Sequence, residues 1–379
     1  MEKIALGQCC EILDSMRVPI TASERKPGPY PYYGANGIQD YVSDYIFDDE
    51  LVLLAEDGGN FGSRTKPIAY RVSGKCWVNN HAHVLKPKLD INVDYLCYSL
   101  MFYDTGSLVN GATRQKLTQT AMKEMQIPLR SLDEQIRIVN RVKQVLSLVN
   151  SKTKQLNLFD DLIKARFVEM FGDPATNPKN WLVASLGEYI TILTDFSSNG
   201  SYELLDSNVT MFDEPNYAVM VRTTDLENRN LQNYEGVKYI NQKAYELLSK
   251  SKLFGGELIM NKIGSAGKIY LMPFISKPAS LGRNAFMLRF DERINMTFLY
   301  TLLCSDYGTS EIQHYVRGAV TKTITKNDVK KVRFFVPPIE LQNEFSNLVV
   351  QVDKSKSVVQ KSLKQTQLLF DSLMQQYFG

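Results

Sequence analysis

Two histidines two residues apart, His81 and His83, form the most metal-like pattern in the chain. On a strand they would share one face, with Cys76 nearby. A zinc site needs a third and fourth ligand at suitable spacing. No Cys-x-x-Cys and no second histidine pair supplies them, so the pair reads as structural or as facing a nucleic acid, and no metal-ligating residue is expected. Gly264-Ser265-Ala266-Gly267-Lys268 shares part of a phosphate-binding loop but lacks its four-residue spacing and the Ser or Thr after the lysine. Two readings stand: a plain hairpin turn, or a turn whose glycines let backbone N–H groups approach a DNA phosphate, with Lys262 and Lys268 alongside. Arg114-Gln115-Lys116 and Thr321-Lys322-Thr323 both follow Gly-Ala and precede another Thr. Polar, basic loop residues at matching places suit phosphate contacts, or simply form a solvated charge cluster.

Catalytic motifs are missing. Glu24-Arg25-Lys26 and Asp328-Val329-Lys330 fit the acidic-x-Lys half of a nuclease signature, but no Pro-Asp dipeptide accompanies them. No Asn/Asp-Pro-Pro-aromatic methyltransferase motif, glycine-rich cofactor loop after an apolar strand, or helicase-type motif occurs. A binding protein with no catalytic residue is expected.

Those loops must be positioned by something, and the chain repeats itself. With Gly111 set on Gly318, 62 residues align without a gap to Gly172 on Gly379, at a constant offset of 207. Gly-Ala opens both copies; Thr118 meets Thr325, Gln135 meets Gln342, and Phe171-Gly172 meets Phe378-Gly379. A fixed internal period marks a duplicated unit. Each copy carries a heptad seam, Val142, Val149, Leu156, Ile163 and Met170 in the first, Val349, Leu363 and Phe370 in the second. A 3.5-residue apolar repeat needs a partner helix, and the other copy is the nearest. A helix of roughly 38 residues is about 57 Å long. Lys152, Arg166, Lys356 and Thr366 interrupt the seams and suggest that further helices complete a bundle.

The stretches between the helices read as two α/β modules. In the first, Lys26 to Gly37, dense in Pro and Gly, reads as a loop with fixed turns. Tyr45–Phe47, Leu51–Ala55, Ile68–Val72 and Cys76–Leu85 read as strands, and Asp94–Tyr103 as a helix. In the second, Leu258–Asn261 and Ile269–Met272 read as strands around the Gly264–Lys268 turn, with Gly59-Asn60-Phe61-Gly62 as its counterpart. The boundaries expected are 1–131 and 173–337 for the modules and 132–172 and 338–379 for the helices. Net charge is only +3, so any polyanion binding must come from local patches. No long apolar run suggests a membrane span. The N-terminus lacks a secretory pattern, and five scattered cysteines suit reduced thiols in a cytoplasm.

With Tyr30-Pro31-Tyr32-Tyr33-Gly34-Ala35-Asn36-Gly37 and Glu56-Asp57-Gly58 in the first half, and Asn261 to Lys268, Gly318-Ala319 and Val336-Pro337-Pro338-Ile339-Glu340-Leu341-Gln342 in the second, the whole chain resembles a specificity subunit of a type I restriction–modification system. Arg130-Ser131, where the second half has Pro337-Pro338, departs from the family's proline pair before the helix. The resemblance implies two target recognition domains separated by two long antiparallel helices. Each domain would read one half of a split DNA site. The helices would set the spacer and dock two modification subunits through Val142, Val149, Leu156, Ile163, Val349, Leu363 and Phe370. Methyl transfer and cleavage would belong to partner modification and restriction/translocase subunits, which would bind S-adenosylmethionine, ATP and magnesium. The DNA-contact candidates are Tyr32, Tyr33, Asn36, Arg64, Lys66, Asn80, His81, Arg114, Gln115 and Lys116 in the first module. In the second they are Arg222, Thr223, Lys262, Ser265, Lys268, Arg283, Asn284, Lys322 and Thr323. The alternatives are a self-contained restriction enzyme or methyltransferase, and a coiled-coil scaffold with no DNA role. A steep loss of affinity with salt separates DNA binding from a scaffold.

Overall fold

The structure, a computed structural model, describes residues 2–88, 90–111 and 115–379. It is mixed α/β and divides into two compact units: residues 1–155 with 359–379, and residues 156–358. The division falls inside both long helices, Leu132–Phe171 and Ile339–Phe378. Each unit therefore holds one module and a half of each helix.

The first unit is built on a six-stranded sheet in the order Cys10–Ile12, Ala82–Pro87, Phe47–Ala55, Ala69–Val78, Pro27–Gly34, Gly37–Val42. All neighbours are antiparallel except Ala69–Val78 and Pro27–Gly34, which pair in parallel. Three sequence expectations change here. The proline-rich stretch is a strand and half of a hairpin, because proline's φ suits extended backbone and the irregular register between Pro27 and Tyr30 absorbs the missing donors. Leu51–Ala55 is the end of a longer strand, Phe47–Ala55, which takes in Phe47 but not Tyr45 or Ile46 and whose polar middle residues face solvent. Cys76–Leu85 is split by a turn at Asn79-Asn80-His81, so that Ala69–Val78 and Ala82–Pro87 are separate strands.

The second unit carries two four-stranded sheets. One runs Ile190–Asp195, Ala285–Phe290, Leu258–Asn261, Ile269–Leu271 and is wholly antiparallel. The other runs Lys238–Ile240, Ala218–Val221, Ala279–Leu281, Lys252–Leu253. Gly264–Lys268 links Leu258–Asn261 to its antiparallel neighbour Ile269–Leu271, which makes it a hairpin turn.

Within each unit the two helix halves run antiparallel and close the core together. In the first unit Ile138, Val142 and Val145 pack with Phe370 and Leu373, and the Tyr95 ring lies 5.3 Å from Phe378. In the second, Phe167 and Phe171 meet Phe345 and Phe298 at ring centroid distances of 4.8–5.7 Å. Tyr95 and Phe298 start equivalent short helices, Val93–Met101 and Met296–Cys304. Gly172 ends the first long helix with φ +84° and its N–H donating to Val168 O, the left-handed cap that only glycine adopts cheaply. The seam positions Val149, Leu156, Ile163 and Leu363 are half-buried, while Val142, Val349 and Phe370 are buried.

The repeated glutamines explain how each long helix starts. Gln135 and Gln342 are fully buried. Gln135 donates to Asp90 O and Arg130 O and accepts from Asn92 N–H at 2.8–3.0 Å. Gln342 donates to Arg293 O and Pro337 O and accepts from Asn295 N–H in the same way. Each glutamine thereby staples the helix start to the loop before the short helix. Losing the amide strands three buried backbone groups, at about 1–3 kcal/mol for each left unsatisfied. Gln342→Ala should lower the stability of its unit by at least about 3 kcal/mol, read as a lower urea midpoint. The exposed Gln351→Ala should stay within about 0.5 kcal/mol of the parent.

Candidate nucleic-acid interface

In the first unit the chain leaves Phe47–Ala55 through Glu56-Asp57-Gly58 and re-enters the sheet from His81. Glu56 N–H donates to His81 O (2.9 Å), Leu117 N–H to Glu56 O (2.7 Å), and Gly58 N–H to Gln115 O (3.2 Å). Asn36, at the hairpin tip Ala35-Asn36, donates to Gly58 O, and Asn60 donates to Asn36 Oδ1, both at 3.0 Å. Asn36, His81, Gln115 and Lys116 thus converge on one edge of the sheet. A cleft beside it is lined by Tyr33, Asn36, Asn60, Lys66 and Tyr70. Arg64 and Asn80 are exposed, and Arg114 lies outside the described residues.

The second unit rebuilds this edge bond for bond. Lys262 N–H donates to Asn284 O (2.9 Å), Ile324 N–H to Lys262 O (3.1 Å), and Gly264 N–H to Lys322 O (2.9 Å). Gly58 rather than Gly59 is therefore the counterpart of Gly264. The antiparallel bridges Asp57–Lys116 and Ile263–Thr323 match as well. Ser265, Lys268 and Lys322 line one cleft with Arg229. Arg222, Thr223, Arg283 and Asn284 line another. The frame is shared and the side chains on it differ.

Below each edge sits a buried carboxylate whose partners have been exchanged. Asp14 accepts from Val84 N–H (2.9 Å) and Gln119 Nε2 (3.0 Å), and His83 bridges Asp14 Oδ2 (2.7 Å) and Leu117 O (2.9 Å). Arg17 Nη1 donates to Glu56 Oε2 at 2.6 Å, and Lys116 pairs with Glu56 Oε1 at 3.1 Å. In the second unit Asp195 accepts from Lys262 Nζ (2.8 Å), Lys326 Nζ (2.9 Å) and Ser198 Oγ (2.6 Å). Gln119 and Lys326 stand at the repeat offset, and Phe286 occupies the place of His83, with Lys262 and Lys326 about 6 Å from its ring. Burial pushes both carboxyls up; hydrogen bonds outweigh it. Those from His83, Val84 and Gln119 hold Asp14 below the usual carboxylate range, and those from Lys262, Lys326 and Ser198 bring Asp195 to about 2. Sequence reasoning singled out Lys262 and Lys116 here and missed Asp14, Arg17, Glu56, Asp195 and Lys326. The one available signal was the matched spacing of Gln119 and Lys326.

The histidine pair is not on one face of a strand. His83 lies in Ala82–Pro87 and is buried, whereas His81 precedes the strand and pairs with Asp57 at 2.6 Å. Cys76 is paired with Phe47 and His83 with Leu54, seven residues apart on the same strand, or about 23 Å. Asp14, Glu56 and His83 do bring one possible ligand atom each within 4.8 Å of one another. Those atoms are already engaged by Arg17, Gln119, Val84 and Leu117, so the cluster reads as structural. Tyr32 is also corrected: it is 1% exposed, its hydroxyl bonds the Ile20 backbone, and Arg25 stacks over its ring at 4.2 Å.

Several charged candidates are held by their own chain. Arg222 binds Asp225 through two bonds of 2.6 and 2.9 Å and also donates to Gly236 O. Lys268 pairs with Glu227 at 2.5 Å, Arg283 with Asp206 at 3.1 Å, and Lys262 with Asp195. The side chains of Ser265, Asn284, Lys322 and Thr323 make no hydrogen bond or ion pair among the described residues. Three of the four seam interruptions are satisfied internally: Arg166 pairs with Glu169 and Lys356 with Asp160, both at 2.6 Å, and Thr366 donates to Ser362 O at 2.8 Å.

Fold and edges together define a protein with two modules on one repeated frame, each presenting a differently decorated loop edge. Residues 1–158 match the model of the type I restriction modification DNA specificity domain. A putative type I restriction enzyme specificity subunit from Haemophilus influenzae is 36% identical over 145 residues, which cover 38% of this chain and 37% of that protein. The MjaVIII type I specificity subunit of Methanocaldococcus jannaschii is 21% identical over 96% of this chain and 88% of its own length. The S subunit of a type I restriction–modification system from M. genitalium shares the fold, with TM-score 0.61, 14% identity and coverage of 100% and 96% of the two chains. A chain from a study of type I complex assembly and conformational transition has TM-score 0.52, 16% identity and coverage of 100% and 97%. Residues 1–158 therefore carry a type I restriction modification DNA specificity domain, and nearly the whole chain is similar to type I specificity subunits. No helix among the described residues is long and apolar enough to cross a membrane.

The Asp195 cluster sets a pH dependence. Its folded pKa of about 2 lies below the unfolded value of about 3.9, so the unfolded state binds the extra proton and the cluster's stabilisation is full above pH ~4. On the order of 2 kcal/mol should be lost as pH falls from ~4 toward ~2. Asp195→Asn should flatten the thermal-unfolding midpoint against pH across that window while lowering it at neutral pH.

Proposed function

We propose that this chain is the DNA-recognition subunit of a type I restriction–modification complex. Its first module reads one half of a bipartite DNA target and its second module the other half, the paired helices setting the spacer. The observation that carries this reading is the pair of equivalent loop edges, hydrogen-bonded alike and carrying unlike side chains. Two readers with one frame and different surfaces suit a target of two unlike halves. The subunit binds and does not catalyse. Methyl transfer and cleavage are the work of partner subunits in the cytoplasm, which hold S-adenosylmethionine, ATP and magnesium. The self-contained enzyme has no catalytic motif to support it, and the bare scaffold leaves both loop edges without a purpose.

Two modification subunits dock on the long helices. The seam residues Val142, Val149, Leu156, Ile163, Val349, Leu363 and Phe370 are occupied within the chain, so they support docking only by ordering the helix pair. The surface offered outward consists of Leu148, Leu158, Leu162, Val358, Leu368 and Leu369, each 43–71% exposed. Exposed apolar side chains recurring along helices mark protein contacts. Leu158→Glu with Val358→Glu should abolish co-purification with the modification subunit while leaving the unfolding midpoint of the isolated chain within about 0.5 kcal/mol of the parent. Retained co-purification would move docking to another surface.

The reading of two halves is tested by replacement. Residues 173–337 exchanged for another member's second module should change one half of the methylated motif and leave the other intact. Lys322→Ala should weaken binding to all sequences alike and reduce the slope of log affinity against log salt by about one. A change in both halves, or an unchanged slope with altered base preference, would contradict these assignments.

A further inference from the structure

Val320 is 97% exposed, more than any other large apolar side chain among the described residues, and it stands at the reading edge of the second unit. Its loop is built rather than slack. Arg317 N–H donates to Thr323 O (2.9 Å) and Thr323 N–H to Arg317 O (2.7 Å), closing a five-residue tip from Gly318 to Lys322. Gly318 has φ +103°, and a Cβ there would lie 2.2 Å from Thr321 O, so the tip needs glycine at its first position. The bridge between Thr323 and Ile263 fastens the loop to the edge, where Ile263 is 44% exposed. Two outward apolar side chains thus flank a rim that also carries Lys322 and Asn284.

A solvent-facing valine at the tip of a tight, hydrogen-bonded loop loses nothing in the core if it is changed, so folding does not explain it. The charged candidates of the second unit, Lys262, Lys268, Arg222 and Arg283, are held by Asp195, Glu227, Asp225 and Asp206. The groups of this edge left to meet bases are therefore neutral: the hydroxyls of Ser265 and Thr323, the Asn284 amide, and the apolar pair. In the major groove one feature is read by apolar contact, the C5-methyl of thymine. At the place of Ile263 the first unit has Asp57, paired with His81.

We propose that the second unit reads a thymine in its half-site by packing the C5-methyl group against Val320 and Ile263. This rests on the DNA-recognition reading above and goes beyond it by naming a base feature and the side chains that select it. Neighbouring Lys322 holds the backbone and carries no sequence information.

The test is a methyl-deletion scan. The recognised motif is first established by methylation-sensitive sequencing. Each thymine of the half assigned to residues 173–337 is then replaced by deoxyuridine, which removes only the methyl group, and binding by the complete complex is measured. One position should weaken binding about 3–10-fold, and deoxyuridine in the other half should not reproduce this through Val320. Val320→Ala should lose a similar factor on the thymine duplex and show no further loss on the deoxyuridine duplex, a coupling that a double-mutant cycle isolates. Val320→Thr, nearly isosteric and keeping one methyl for the contact, should fall between the parent and Val320→Ala, and it guards against a folding artefact. Deoxyuridine tolerated at every position of that half, no thymine in that half on either strand, or an equal deoxyuridine penalty in the parent and in both variants would overturn the proposal. Absence of any sequence-specific binding by the parent complex would instead strike the DNA-recognition reading itself.

Discussion

Each unit closes its core with helical segments that are far apart in sequence, and the remaining features depend on that closure. In the second unit Phe167 and Phe171, at the end of one helix, wedge against Phe345 at the start of the other and against Phe298 from the module. Burying such rings contributes about 1.5–3 kcal/mol apiece, and aromatic pairing adds to it. The module, the helix start and the helix end are therefore one packing problem. This is why the compact units cut across the helices.

The buried glutamines do for the backbone what the rings do for the core. Gln135 and Gln342 each satisfy a donor and two acceptors that would otherwise be stranded at a helix start. They orient the short helices Val93–Met101 and Met296–Cys304, whose first turns are capped by Asn92 and Asn295. From that fixed base the sheets project, and their far edges carry the loops. Thr118 and Thr325 cap equivalent helices beside those edges by accepting from Ala121 N–H and Asp328 N–H. The repeated residues are thus the scaffold's fasteners, and the side chains that differ between copies stand on the loops.

Exchange of partners around Asp14 and Asp195 shows how far two copies can diverge on one frame. The first carboxylate is met by a histidine and a glutamine amide, the second by two ammonium groups and a hydroxyl. Both arrangements satisfy the same geometric requirement, a buried acceptor that ties the edge loop to the sheet. Most ionic side chains near the second edge are consumed in such ties. That leaves neutral and apolar side chains, with Lys322, as the groups on that edge without an ionic partner among the described residues.

Periodicity and repetition were legible in the sequence because they are local and additive. The offset of 207, the heptad seams and the glycine caps located both helices to within a residue or so. What the sequence could not determine was which polar side chains are free. His81 and His83, two residues apart, meet Asp57 and Asp14 respectively. Tyr32 and Tyr33 point to opposite faces of one strand, one into the core and one toward a cleft. The strand over Pro27–Gly34 forms because Ala69–Val78 and Gly37–Val42 flank it, overriding a proline content that by itself reads as loop. Pairing across long sequence separations decides these points, because the satisfaction of a donor or the covering of a ring depends on neighbours that only tertiary structure brings within a few ångströms.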